Sequence, residues 1–317
     1  MELISTQQVP FNNLYINDFD LIIAVSGYES RSTYLVERIK LQNEIKTVLA
    51  FEEKTDELHR PENDEKYRQM GFHVVMQSGN TIVDTDSLLN LLPDRNKESL
   101  NILIDYSCMT KLWYASIINF FILNDLPNHN ISLYFSYSAS RYTEPKKPKP
   151  LSFVEPISCV SHGIIKNKPL ALVIGLGYEK DRAELLRRSL NPEETYLFYA
   201  DPVDDERFVE KVYINNFKLI DRSHKNHVFS YPIRDLEKID ALLTGLCLDL
   251  RFNYKIILAP LGPKPFALCC LLLAARYPDI EVWRISAGSS ESTYNREPFG
   301  EPLVYRVDFG QEENYIV

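Results

Sequence analysis

The sequence predicts an α/β fold built from two similar halves, each a mainly parallel sheet with helices on both faces. Three observations carry this. Short continuous apolar runs rich in Ile, Val, Leu and Tyr recur along the chain, as strands covered on both faces require. Helical patterns lie between them and supply the crossover connections of a parallel sheet. The whole series then occurs twice in one order.

The repeat opens with "LIIAVSGYESRSTYLVERI" at Leu21 and "LALVIGLGYEKDRAELLRR" at Leu170. Each is an apolar run, then Gly-Tyr-Glu, then an arginine, then a helical pattern. Gly27, Tyr28 and Glu29 align with Gly177, Tyr178 and Glu179. Arg31 and Arg182 correspond loosely, because the second copy has one more residue before its arginine. "KTVLAFEE" then answers "TYLFYADP" as a second strand, and "FHVVMQS" answers "HVFSYPI" as a third. "LNILIDYSCMTK" answers "YKIILAPLGPK" as a fourth, and "ISLYFSYSAS" answers "IEVWRISAGS" as a fifth. The tails "RYTEPKKPKPLSFVEPI" and "TYNREPFGEPLVYRVDF" also correspond. The chain therefore divides into two Rossmann-like halves, residues 1–166 and 167–317, with the boundary near "SHGIIKNKP". The "KKPKP" run reads as a solvated loop of the first half and only secondarily as a basic contact patch.

Composition agrees with two domains and narrows the function. The 317 residues exceed one ordinary domain. A net charge of −9 argues against broad binding to nucleic acid. Cys108, Cys159, Cys247, Cys269 and Cys270 are odd in number and lack paired spacing, as in a reduced, cytoplasmic protein. "MELISTQQVPFNN" has neither the basic region nor the apolar core of a secretion signal. The longest apolar runs, around residues 112–123 and 265–275, are too short to span a bilayer and read as helices buried within a domain. No membrane association is expected.

In an open parallel sheet, ligands bind beyond the carboxyl ends of the strands at the topological switch point, which the loops after the first and fourth strands flank. Here those loops hold Ser26, Gly27, Tyr28, Glu29 and Arg31, then Asp105, Ser107, Thr110 and Lys111. Their counterparts are Gly175, Gly177, Tyr178, Glu179 and Arg182, then Gly262, Pro263 and Lys264. Small residues let a phosphate approach backbone N–H groups at a helix start, and Lys111 or Lys264 adds a full charge there. Glu29 or Glu179 can accept from a ribose hydroxyl, while Tyr28, Tyr178 or Trp113 can offer a flat face to a base. The structural alternative is that the glycines permit tight turns, Ser107 or Thr110 caps a helix, and Glu29 pairs with Arg31 at the surface near a helix N-terminus. No P-loop, HExxH, GxSxG or paired-cysteine zinc pattern occurs, and no metal or cofactor is expected. The histidines are uninformative. Asp201, at a strand end, is a lone candidate for a metal or ribose contact.

"DYSCMTK" resembles the Asp-x-Thr-Gly-Gly-Thr-Lys motif of CARF domains, the CRISPR-associated Rossmann-fold sensors. Asp105, Ser107, Thr110 and Lys111 match by residue or hydroxyl type, while Cys108 and Met109 replace the two glycines. "APLGPK" keeps one glycine and the lysine but lacks the acid. Two fused CARF-like units are similar to the SAVED architecture of bacterial anti-phage signalling. That resemblance implies a cleft binding a nucleotide-derived ligand, a cyclic oligonucleotide, and an effector protein encoded nearby.

Three functions follow as expectations. The first is a nucleotide-binding sensor or regulatory subunit of an anti-phage system. The second is a nucleotide-processing enzyme, a ring nuclease or N-glycoside hydrolase, with Glu29 or Glu179 catalytic. The third is an adaptor using "RYTEPKKPKPLSF" and "STYNREPFGEP" as contact loops while its clefts are vestigial. Oligomeric state is left open, a homo-oligomer included.

Overall fold

A computed structural model describes residues 1–42, 44–84, 87–88, 90, 92, 97–124, 126, 130–144, 146, 152–157, 168–286 and 293–310. Two compact units are present, one of residues 1–141 with 293–317, the other of residues 142–292.

In chain order the first unit holds β1 (Glu2–Val9), β2 (Leu21–Ser26), β3 (Ile45–Phe51), α1 (Arg60–Gln69), β4 (His73–Gln77), β5 (Ser99–Asp105), α2 (Lys111–Leu123) and β6 (Asn130–Tyr137). The second unit holds β7 (Phe153–Pro156), β8 (Leu170–Gly175), α3 (Arg182–Leu190), β9 (Glu194–Ala200), α4 (Arg207–Arg222), β10 (Val228–Tyr231), α5 (Leu236–Leu250), β11 (Lys255–Pro260), α6 (Lys264–Arg276) and β12 (Ile280–Ser286). The last strand, β13 (Leu303–Gly310), returns to the first unit.

The sheets share one plan. The first runs β1-β13-β6-β5-β2-β3-β4 and the second β10-β9-β8-β11-β12-β7. Strands β4, β3, β2, β5 and β6 are parallel neighbours, as are β10, β9, β8, β11 and β12. A tail strand pairs antiparallel with the fifth strand of each sheet, β13 with β6 and β7 with β12. The expected α/β class and every expected repeat strand are therefore present.

The tails are exchanged. β7 follows β6 in the chain yet pairs with β12, and β13 follows β12 yet pairs with β6 from Leu303↔Tyr137 to Gly310↔Asn130. A single cut after residue 166 follows the repeat along the chain, whereas the compact units assign the tails crosswise. The boundary stretch 158–167, the residues 147–151 of the proline–lysine run, His129 and Cys159 lie outside the described residues. β1 was not anticipated; it adds to β13 as an antiparallel edge strand.

The buried strands behave as their apolar runs demand. All six residues of β2 and the last five of β8 are buried. One face of the first sheet packs Ile22, Ala24, Val48 and Leu103 with Leu35, Val36 and Tyr67; the second sheet packs Leu172, Ile174, Leu197 and Ile257 with Ala183, Leu186 and Leu219. The two long apolar runs are buried helices. From Leu112 to Phe121 of α2 only Asn119 is not fully buried, and Pro265 to Ala274 of α6 all are. Among the described residues no helix is long and apolar enough to cross a membrane.

One expected helix is missing. The stretch after β2, which corresponds to α3, is a chain of turns through residues 30–38. Its "SRST" sequence explains this, because such side chains bond the backbone locally and compete with helix. The Ser32 hydroxyl donates to the Val25 carbonyl at 2.5 Å, and the Ser32 carbonyl accepts from Tyr67 Oη at 2.6 Å.

Candidate functional site

In the first unit β2 lies between β3 and β5, so the switch point falls between the loops that follow β2 and β5. A Cβ placed on Gly27 would lie 3.4 Å from the Cβ of Cys108, so the two loops touch there.

The loop after β2 is shaped by α1. Asn63, fully buried, donates from one side chain to the carbonyls of Gly27 (2.8 Å) and Glu29 (2.9 Å). Ser26 donates to Asp64 at 2.5 Å, and Arg60 Nε donates to the same carboxylate at 2.8 Å. With no helix following β2, no helix N-terminus faces a ligand here, contrary to expectation. Ser26 serves α1 instead.

Glu29 is buried between two arginines. Its Oε2 accepts from Arg31 Nε at 2.5 Å and its Oε1 from Arg296 Nη1 at 2.7 Å, while the Cys108 thiol stands 3.8 Å from Oε2. The Glu29–Arg31 pair, as a structural alternative expected at the surface, lies in the interior, with side chains 8% and 3% exposed. Burial is the largest influence and acts to depress the Arg31 guanidinium, but the adjacent Glu29 carboxylate, helped by Tyr137 and Cys108, leaves Arg31 above its ordinary pKa. Arg31 also donates to the Ser138 carbonyl at 2.8 Å.

The loop after β5 is stitched in the same way. Asp105 Oδ1 accepts from the Ser107 N–H at 3.0 Å and so turns its own loop. Ser107 Oγ accepts from the Ser138 N–H at 2.8 Å. Ser138, just after β6, is thus gripped at its N–H by one loop and at its carbonyl by the other. Thr110 caps α2 by accepting from the Trp113 N–H at 3.4 Å, and Lys111 occupies the first helical position.

Trp113 cannot offer a face to a base. It is fully buried, stacks on Phe51 at 4.4 Å, and donates from Nε1 to the Ser78 carbonyl at 3.1 Å. That contact leads to another feature the sequence did not announce. Glu53, after β3, accepts from Ser78 Oγ (2.7 Å) and the Gly79 N–H (3.2 Å), joining the loops that follow β3 and β4. Burial acts to raise the Glu53 pKa, yet these bonds hold it below the usual carboxylate value. Tyr28 is half-buried, with Lys54 Nζ 5.2 Å from its ring centroid.

The second unit repeats the frame with different filling. Asn216 of α4 donates to the Gly177 carbonyl at 2.9 Å, the counterpart of Asn63 and Gly27. Arg182 approaches Glu179 at 3.2 Å, but this glutamate is 41% exposed. Here the glycines hold the loops together: a Cβ on Gly177 would lie 2.4 Å from the Leu261 carbonyl oxygen, one on Gly262 2.6 Å from that of Leu176, and one on Gly175 2.5 Å from the Phe266 ring. Neighbouring protein fills the space these residues were expected to leave for a phosphate. Lys264 begins α6, as expected. Asp201 precedes a cis proline, and no group of metal-binding side chains occurs among the described residues.

The exchanged tails finish both loops. In the first unit Asn295 Oδ1 accepts from the Ser30 N–H at 2.8 Å beside the Arg296–Glu29 pair. In the second, Tyr142 packs 6.5 Å from Tyr178 and 5.1 Å from Phe208, and those two rings lie 5.6 Å apart. One Gly-Tyr-Glu loop is closed by charge, the other by rings.

Cys247, Cys269 and Cys270 are buried and unbridged, and desolvation pushes Cys247 up to about 12. Compared with known proteins, the sequence matches no family model and no curated relative.

Proposed function

We propose that the protein is a nucleotide-binding sensor or regulatory subunit of CARF-like type, serving anti-phage defence with a separate effector. Its anionic ligand binds at the switch point of the first unit, where Lys111 contacts a phosphate and Tyr28 a base or sugar. One observation supports this above the others: the buried Glu29–Arg31–Arg296 cluster at the meeting of the two loops. Buried ion pairs are weak contributors to stability, since desolvation offsets much of their attraction. The second unit keeps the Arg182–Glu179 pair but closes the equivalent loop with aromatic packing in place of a second arginine, so the fold does not require a three-membered charged cluster at this place. A charged cluster kept where packing would serve points to a ligand.

The enzymatic reading is less well supported. Both Glu29 oxygens are committed to guanidiniums, and Glu179 is paired at the rim of its loop. The test is calorimetric and thermal-shift titration with cyclic di- and oligonucleotides. We expect a saturable response that Lys111→Ala weakens at least about tenfold, as loss of a charge-assisted phosphate contact should, with little change in melting temperature. A flat response from the folded wild-type protein to every such nucleotide defeats this function.

A further inference from the structure

The residue that completes the cluster comes from the far end of the chain. Arg296 lies ahead of β13, in a segment pinned along the loop edge of the first unit. The Arg141 N–H donates to the Glu297 carbonyl, the Phe299 N–H to that of Ala139, and Tyr34 Oη to that of Gly300, each at 2.9 Å. A side chain on so fixed a segment is held in position before any ligand arrives.

We infer that Arg296 is an anion-contacting residue of the site, delivered by the exchanged tail, and that Glu29 positions it for a phosphoryl oxyanion. This rests on the site reading above. Three features support it. The cluster gathers two guanidiniums, those of Arg31 and Arg296, on the single Glu29 carboxylate. Of the two guanidiniums, Arg31 is 3% exposed and spends donors on Glu29 and the Ser138 carbonyl, whereas Arg296 is 29% exposed. Arg296 is also preoriented: Nη1 donates to Glu29 and Nη2 to Tyr294 Oη, both at 2.7 Å, and its carbon lies 4.6 Å from the Tyr294 ring centroid. A planar fork held in this way matches the oxygens of a phosphate and loses little entropy on binding.

The test uses the full chain with inorganic pyrophosphate, ATP and cyclic tri- and tetra-adenylate as probes, read by calorimetry. Arg296→Gln removes the charge and, being shorter, the terminal contacts to Glu29 and Tyr294, and should weaken the best probe at least about tenfold. Should that variant fold poorly, Arg296→Lys decides the matter. It keeps the charge without the fork and should weaken the same probe measurably. Wild-type affinity in a folded Arg296→Gln, or in Arg296→Lys if Gln does not fold, overturns the inference. If Lys111→Ala loses the response while the Arg296 variants keep it, the site stands and only this inference falls. If the wild-type chain binds no probe, both fall together.

Discussion

Asn63 donates to the carbonyl of Gly27, 36 residues earlier in the chain, and in the other unit Asn216 donates to Gly177 across 39 residues. The same contact, made from a helix to the glycine that opens the Gly-Tyr-Glu loop after a central parallel strand, recurs in both halves. It explains how each Gly-Tyr-Glu loop keeps its shape, although one is followed by turns and the other by a helix. Asn63→Ala should leave two buried carbonyls without this donor and cost about 1–3 kcal/mol. Asn63→Asp should cost at least as much, since a carboxylate cannot donate. Denaturant unfolding measures both. Unchanged stability in either would show that the loop does not depend on this side chain.

The ion cluster gives a second expectation. Glu29→Gln removes the only negative charge among the three clustered groups while leaving Arg31 buried, and breaking a buried pair in this way typically costs about 3–5 kcal/mol. Glu179→Gln, at a more exposed pair, should cost about 1 kcal/mol or less. Comparing the unfolding midpoints of the two variants tests the asymmetry, and equal effects would refute it.

The glycines differ by unit as well. Gly177→Ala must push a methyl toward the Leu261 carbonyl oxygen at 2.4 Å, a backbone atom that cannot swing away. Overpacking of this kind costs about 1–3 kcal/mol or more. Gly27→Ala meets Cys108 only at 3.4 Å and should be far milder. A Gly27→Ala variant as unstable as Gly177→Ala would contradict the described packing.

Acid sensitivity provides a fourth check. The bidentate Arg207 bond holds the Asp205 carboxyl at about 2, below its ordinary 3.8, with the Arg207 and Tyr142 N–H groups assisting against burial. The folded state therefore binds its proton less readily than the unfolded chain. The stabilisation is present above pH 3.8 and is lost as pH falls toward 2. Asp205→Asn should lose less stability across that window than the wild type, as urea titrations at successive pH values would reveal. An identical pH slope in the variant would exclude this role.

Much of the architecture was legible in the linear chain because it depends on local pattern. Continuous apolar runs such as Leu21–Val25 and Leu170–Ile174 must be covered on both faces, and their repetition in order sets the parallel plan of both sheets. Asp105 turning its own loop and Thr110 capping α2 are likewise short-range, and the residue types announce them. The helix expected after β2 failed for an equally local reason: Ser32 bonds back to Val25, a competition that helical spacing alone does not display.

What only the tertiary structure decided is which distant groups meet. Nothing in "TYNREP" states that Arg296 will reach Glu29, 267 residues away, because that depends on β13 pairing with β6 instead of β12. A tail strand satisfies its backbone hydrogen bonds equally well on either parallel sheet, so local propensity cannot choose between them. Nor does the sequence distinguish Gly27, with room beside it, from Gly177, packed against a carbonyl, since that difference lies in the opposing loop. Periodicity determined the elements and their repetition; the long-range pairing of exchanged tails decided that one loop would be closed by charges and the other by rings.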